Sequence, residues 1–171
     1  GKTFLLVRNV VMRALKAPDS RHVIFRFRAN AVEASIVADT FPKVMRLAFP
    51  GVEFTLTSKP SVAKFPNGSE IWFSGLDDKD RVEKILGMEF VTEYFNECSQ
   101  IPQASRDVAI TRLAQKVDQE IEQPDGSIRK TPLKPRVYYD ENPPSKAHWS
   151  YKMFIQKLDP DTKLTLARQD D

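Results

Sequence analysis

Three short stretches carry side chains that can do chemistry together: Gly1-Lys2-Thr3 at the front, Asn96-Glu97 within "EYFNECSQIP", and Asn142 within "YYDENPPS". A phosphate-binding loop ends in Gly-Lys-Ser/Thr where a helix begins. Its amides and the helix N-terminus hold phosphate oxygens, its lysine reaches the outer phosphates, and its hydroxyl joins a Mg²⁺ shell. Gly1, Lys2 and Thr3 match the last three positions of such a loop and run straight into an apolar-periodic segment. The complementary half of such a site is an apolar strand closing on two acidic residues, one supporting the metal and the next polarising the attacking water. Here the pair is Asn96-Glu97. A neutral amide brings no charge to a metal, although Asn96 can hydrogen-bond a metal-bound water. Asn142 follows a third apolar run and can contact a terminal phosphate or the lytic water; a proline-stiffened turn capped by Asn is an equal alternative. Taken singly, the tripeptide also reads as a chance match and Glu97 as a solvated strand end.

Other reactive residue types have plainer readings. Cys98 has no histidine near it in sequence and reads as a small buried residue. His22 opens a strand and His148 lies in a helical run, neither at metal-ligand spacing. Trp72 and Trp149 read as core or interface aromatics. Asp77, Asp78 and Asp80 lack the glycine and acceptor spacing of a calcium loop and suit the acidic start of a helix.

The elements that must position these groups alternate. Helices are predicted at 3–16, 30–48 (kinked or broken at Pro42), 77–86, 103–121 and 146–158. Strands are predicted at 22–27, 52–59, 69–75, 88–95 and 136–144, with "FPNG" as a turn, 122–135 as a surface loop and 159–171 as a polar tail. Strands alternating with helices predict an α/β domain with a mainly parallel sheet. In such sheets ligands sit at the carboxyl ends of the strands, where Glu97 and Asn142 fall.

The 171 residues suit one domain, with a net charge of +3 that reflects a modest excess of Lys and Arg. That balance is compatible with transient nucleic-acid contact, while Lys130, Lys134 and Arg136 read as a solvated loop. A single cysteine excludes an internal disulfide framework and fits a reducing compartment. No run approaches the roughly 20 apolar residues of a membrane span.

With these points placed, "GSEIWFSGLDDKDRVEKILGMEFVTEYFNECSQIP", "TRLAQKV" and "YYDENPPSKAHWSYKMFIQKLDP" resemble the ATPase domain of tailed-phage or prophage terminase large subunits. The resemblance runs from Gly1 to about Pro160, and "FNECSQIP" and "NPPSKAHWSYK" are its most specific pieces. It implies a P-loop NTPase of ASCE type, a three-layer sandwich around a mainly parallel sheet, incomplete at its N-terminus. Residues 1–171 are then a single, partial ATPase domain, with the family's C-terminal nuclease domain outside it. The implied activity is ATP hydrolysis, with Mg²⁺, coupled to moving double-stranded DNA into a procapsid.

By position, Gly1, Lys2 and Thr3 match the end of the phosphate loop, Glu97 the catalytic carboxylate and Asn142 the coupling asparagine. Thr3 and Asn96 fall at the metal positions, Asn96 where most relatives have an acid. Arg81 and Arg112 are candidates for the arginine that stabilises the transferring phosphoryl group. The implied partners are DNA, a portal protein, a small terminase subunit and further copies in a ring, in the host cytoplasm and away from membranes. Two alternatives stay open: a helicase- or recombinase-type P-loop ATPase, and a catalytically dead prophage remnant that serves as an interaction module.

Starting inside the loop, the sequence lacks most of an anion-binding nest. The 171-residue chain is therefore expected to bind ATP weakly and to hydrolyse it slowly or not at all. Isothermal titration with Mg-ATP checks this, and micromolar binding overturns it.

Overall fold

β1 (Arg21–Arg26) buries its four central residues on both faces. A strand of that kind belongs in the middle of a sheet covered on both sides. It pairs in parallel with β4 (Glu70–Gly75) and with β5 (Thr92–Phe95), and β5 pairs in parallel with β8 (Arg136–Tyr139). Beyond β4, β3 (Ser61–Lys64) and β2 (Thr55–Thr57) continue the sheet antiparallel, giving the order β2-β3-β4-β1-β5-β8. The mainly parallel α/β sheet predicted from the sequence is present. The computed structural model describes residues 1–156. The end of the predicted 146–158 helix and the polar segment 159–171 lie outside the described residues.

Alternation along the central strands separates two cores. Ile24 and Tyr94 face a layer built from α1 (Lys2–Lys16) and α3 (Phe41–Ala48), through Val7, Val10, Phe41 and Val44. Val23, Phe25 and Phe95 face the other layer, built from α4 (Lys79–Leu86), α5 (Gln103–Ile110) and α6 (Trp149–Tyr151), through Ile85, Ala109 and Trp149. The result is three layers. Gly75 ends β4 where α2 (Ala29–Val32) crosses it; a Cβ there would sit 2.4 Å from the Ala29 nitrogen. Among the described residues no helix is long and apolar enough to cross a membrane.

Several boundaries differ from the prediction. The helical run over 29–48 is not broken at Pro42; it widens into π-turns over Glu33–Thr40, and the Phe41 N–H reaches back five residues to the Ile36 carbonyl. A proline ring clashes with the carbonyl four residues earlier in a regular α-helix, and a wider turn accommodates it. The helix predicted at 103–121 stops at Ile110, and Asp118–Glu122 instead forms β6, paired antiparallel with β7 (Ile128–Pro132) inside the predicted loop. Its turn is closed by the Asp125 carboxylate, which accepts from the Ser127 N–H and hydroxyl, and by Gly126 at φ +83°. The predicted 52–59 strand is shorter, and β3 has no counterpart in the prediction. The 88–95 and 136–144 strands are trimmed to 92–95 and 136–139. Of 146–158, Trp149–Tyr151 is α-helical and Lys152–Gln156 π-helical.

A buried polar relay lies where β1 and β5 begin. Arg13 Nε donates to Thr92 Oγ1 (2.8 Å), Thr92 Oγ1 meets His22 Nδ1 (2.7 Å), His22 Nε2 meets Ser20 Oγ (2.7 Å), and Ser20 donates to the Ala17 carbonyl. The directions are consistent only with His22 protonated on Nε2, so Thr92 donates to Nδ1. Burial, with the Arg13 charge adding, pushes the His22 imidazole down to about 3. On the opposite face Glu93 is fully buried and neither carboxyl oxygen has a hydrogen-bond partner among the described residues; burial pushes it up to about 8, so it is protonated at neutral pH.

The two groups act on stability with opposite sign. The folded state holds the Glu93 proton above the ordinary 4.5, so stability falls as pH rises from 4.5 to about 8. It refuses the His22 proton below the ordinary 6.5, so stability falls as pH drops from 6.5 to about 3. Their contributions cancel between 4.5 and 6.5, leaving a plateau with a loss on either side. Glu93→Met is expected to remove the alkaline limb, keep the acid limb and add about 1–3 kcal/mol near pH 8, as read from urea unfolding across the range.

Candidate functional site

At their carboxyl ends β5 and β8 run out together. Their last paired residues are Phe95 and Tyr139, so Asn96 and Asp140 leave the sheet side by side. Asn96, 2% exposed, donates from Nδ2 to both Asp140 oxygens at 3.0 and 3.1 Å. Tyr94 donates its hydroxyl to Asp140 Oδ2 at 2.7 Å, and the Glu97 backbone N–H donates to Oδ1 at 2.7 Å. The Cys98 N–H closes the turn on the Asp140 carbonyl at 2.9 Å. Burial first, then the Asp140 charge, pushes the Tyr94 phenol up, so it stays a donor.

The start of α1 reaches the same point. Thr3 Oγ1 donates to Asp140 Oδ2 at 3.4 Å, and Lys2 Nζ donates to the Glu141 carbonyl at 3.2 Å. Gly1 is the residue before the helix, and its carbonyl accepts from the Leu5 N–H. Gly1, Lys2, Thr3, Asn96 and Glu97 thus gather at one edge of one sheet, with Thr3 and Glu97 bonded to one carboxylate.

Glu97 has a left-handed backbone, φ +49° and ψ +54°. That conformation turns its N–H toward Asp140 while its carboxylate swings toward β1, where Arg26 Nη2 meets Oε2 at 2.6 Å. Arg26 also holds Ser35 Oγ on the π-helical stretch. Cys98 donates its thiol to Glu141 Oε2 at 3.4 Å, and burial together with that carboxylate pushes the thiol up, leaving it protonated and inert.

The remaining predicted residues sit elsewhere. Asn142 is exposed, two residues past Asp140 on the same chain exit. Arg81 is on α4, paired with Asp78 (3.7 Å), and lines a cavity of about 460 Å³ with Trp72, Lys59 and Lys84. Arg112 lies at the opposite end of β5, where its Nη1 donates to the Leu86 carbonyl and its backbone carbonyl accepts from Phe90. Of the plainer residues, His148 caps α6 and Trp149 Nε1 donates to the Ile101 carbonyl. Sequence reasoning misses three contributors: Asp140, Tyr94 and Arg26. The available signal for Asp140 is its place at the end of an apolar strand. Arg26 ends a central strand, where ligand-side residues fall.

A mainly parallel sheet between two helical layers, with a Lys-Thr helix start and a strand-terminal glutamate at one rim, defines a P-loop NTPase-like α/β domain. The chain belongs to the phage terminase large subunit family, whose profile matches residues 1–171. No curated protein matches it in sequence. Among solved structures it resembles the large terminase of a thermophilic bacteriophage, with TM-score 0.69 and 14% identity over 98% of this chain and 42% of that one. The ADP complex of the same terminase gives TM-score 0.65 and 17% identity over 99% and 40%. The large terminase ATPase domain of Thermus phage P74-26 gives 0.52 and 19% over 91% and 58%. The chain therefore spans about 42% of the first of these structures, and the likeness establishes the fold.

The Arg26–Glu97 pair is half-sheltered, with side chains 17% and 33% exposed, whereas Lys43–Asp39 is at 47% and 67%. Arg26→Met is expected to cost about 1–3 kcal/mol in urea unfolding, against less than about 0.5 kcal/mol for Lys43→Met.

Proposed function

We infer that the chain is the greater part of the ATPase motor domain of a DNA-packaging machine, one whose intact large subunit also carries a nuclease domain. The observation that carries this reading is the meeting of Thr3 and Glu97 on the Asp140 carboxylate, at the sheet edge where α1 begins. The family membership and the ADP-bound phage terminase of like fold support nucleotide as the ligand.

On this reading ATP lies across the rim. Gly1, Lys2 and the first amides of α1 bind its phosphates, Lys2 exchanging the Glu141 carbonyl for the outer phosphate oxygens. The donors available for Mg²⁺ are oxygens, the Thr3 hydroxyl directly and Asn96 through a water, which suits a hard cation that keeps much of its hydration. Mg²⁺, when bound, offsets phosphate charge. Glu97 orients a water in line with the γ-phosphorus and takes up its proton, and Arg26 aims the Glu97 carboxylate. An arginine stabilises the charge on the phosphoryl group; Arg81 is exposed and can serve a neighbouring subunit, whereas Arg112 is engaged at the far end of the sheet. Phosphate release is read at Asn142, whose segment leads into α6. Movement of that helix drives double-stranded DNA through contacts with its phosphates, which are largely independent of sequence. The working assembly is a ring of copies on a portal protein, loaded by a small terminase subunit in the host cytoplasm.

Glu97→Gln in the intact large subunit is expected to lower ATP turnover at least about 100-fold while nucleotide affinity stays within about threefold. Steady-state hydrolysis with procapsids and DNA, beside nucleotide titration, measures both. Retained turnover removes Glu97 from the role.

A further inference from the structure

The position beside Glu97 poses a charge problem that the rim itself resolves. Asn96 is neutral, and its Nδ2 donates to both Asp140 oxygens and to the Tyr94 hydroxyl. Asp140, one residue beyond the last β5–β8 pair, sets its carboxylate directly beside the Asn96 amide. It is anchored more tightly than a solvated aspartate. Its oxygens accept from Thr3, Tyr94, Asn96 and the Glu97 N–H, and its carbonyl accepts from the Cys98 N–H. None of the ion pairs among the described residues includes Asp140; its carboxylate is held by neutral donors.

The Thr3 contact has a chemical consequence. A hydroxyl that ligates a metal offers a lone pair and must place its proton elsewhere. Thr3 directs its hydroxyl proton toward Asp140 in a long hydrogen bond of 3.4 Å, which leaves its lone pairs for a cation. Acceptors of this kind orient metal-binding groups and tune affinity from outside the first coordination shell. Among the described residues no cluster of three or more His, Cys, Asp and Glu side chains forms a cage. One hydroxyl, one nearby carboxylate and substrate phosphates match the way Mg²⁺ is ordinarily held.

We propose that Asp140, contributed by β8, supplies the metal-compensating carboxylate that Asn96 on β5 lacks, acting as a positioning residue through the Thr3 hydroxyl. Asn96 then serves to hold Asp140 in place. The inference rests on the nucleotide-site reading above.

The experiment uses the intact large subunit, with Mn²⁺ and AMP-PNP as probes, and three variants: Asp140→Asn, Asn96→Asp, and the two combined. Electron paramagnetic resonance reads Mn²⁺ affinity in the nucleotide complex, and titration without metal reads nucleotide affinity alone. Asp140→Asn is expected to weaken Mn²⁺ at least about tenfold, with metal-free nucleotide affinity changed less than about threefold. The combined variant returns the charge to the neighbouring strand and is expected to recover Mn²⁺ affinity to within about threefold, which loss of fold would not allow. Mn²⁺ affinity unchanged in Asp140→Asn, or not recovered in the combined variant, overturns the proposal and leaves the nucleotide site standing. Failure of the wild-type subunit to bind AMP-PNP overturns both.

Discussion

Parallel pairing of β5 with β8 sets the level at which both chains leave the sheet, and so which side chains meet at the rim. A carboxylate emerging there has to be satisfied, and the donors come from four places: the start of α1, the body of β5, its terminal amide, and the turn after it. Each of these bonds constrains a different backbone segment. Asp140 thereby turns a strand end, a helix start and a left-handed turn into one assembly, and the position of Glu97 depends on all of them.

The same strand is gripped at its other end. Arg13, ten residues along α1 from Thr3, donates to Thr92 and to the carbonyls of Val91 and Lys134. Ten helical residues rise about 15 Å, and the strand from Thr92 to Asn96 rises about 13 Å. Helix and strand thus match in length, with a polar clasp at each end and Val7, Val10 and Val11 packed against Tyr94 and Ile24 between them. The helix carrying Lys2 and Thr3 cannot slide along the sheet without breaking both clasps. His22 belongs to the lower clasp, so a residue with reactive chemistry has a holding role.

The central architecture was legible in the sequence because buried parallel strands are continuous apolar runs, and "HVIFRF" and "EYF" each lie between helical patterns. The β6–β7 ribbon was not, since almost every residue in it is exposed and exposure erases the two-residue period that marks a strand. "PDGS" lay inside a stretch read as a surface loop, and the single isoleucines on either side of it, Ile121 and Ile128, were too few to mark two paired strands. The π-helical stretch was equally hidden: Pro42 signalled trouble for a helix, and the remedy depended on packing around Ile36 and Phe41. At the site, Lys2, Thr3, Asn96 and Glu97 could be read from local pattern. Asp140 and Arg26 were marked only as strand ends, because what each one binds depends on which strands become neighbours, a tertiary fact. β4, β1, β5 and β8 are far apart in sequence and adjacent in the sheet.

The left-handed backbone of Glu97 carries a consequence for anyone engineering this domain. A glutamate at φ +49° is less comfortable than glycine or asparagine would be, by something on the order of 1 kcal/mol. A screen for thermal tolerance alone would therefore drift toward Gly or Asn at this position and lose the ion pair with Arg26. Hardening this domain has to begin with position 97 held fixed.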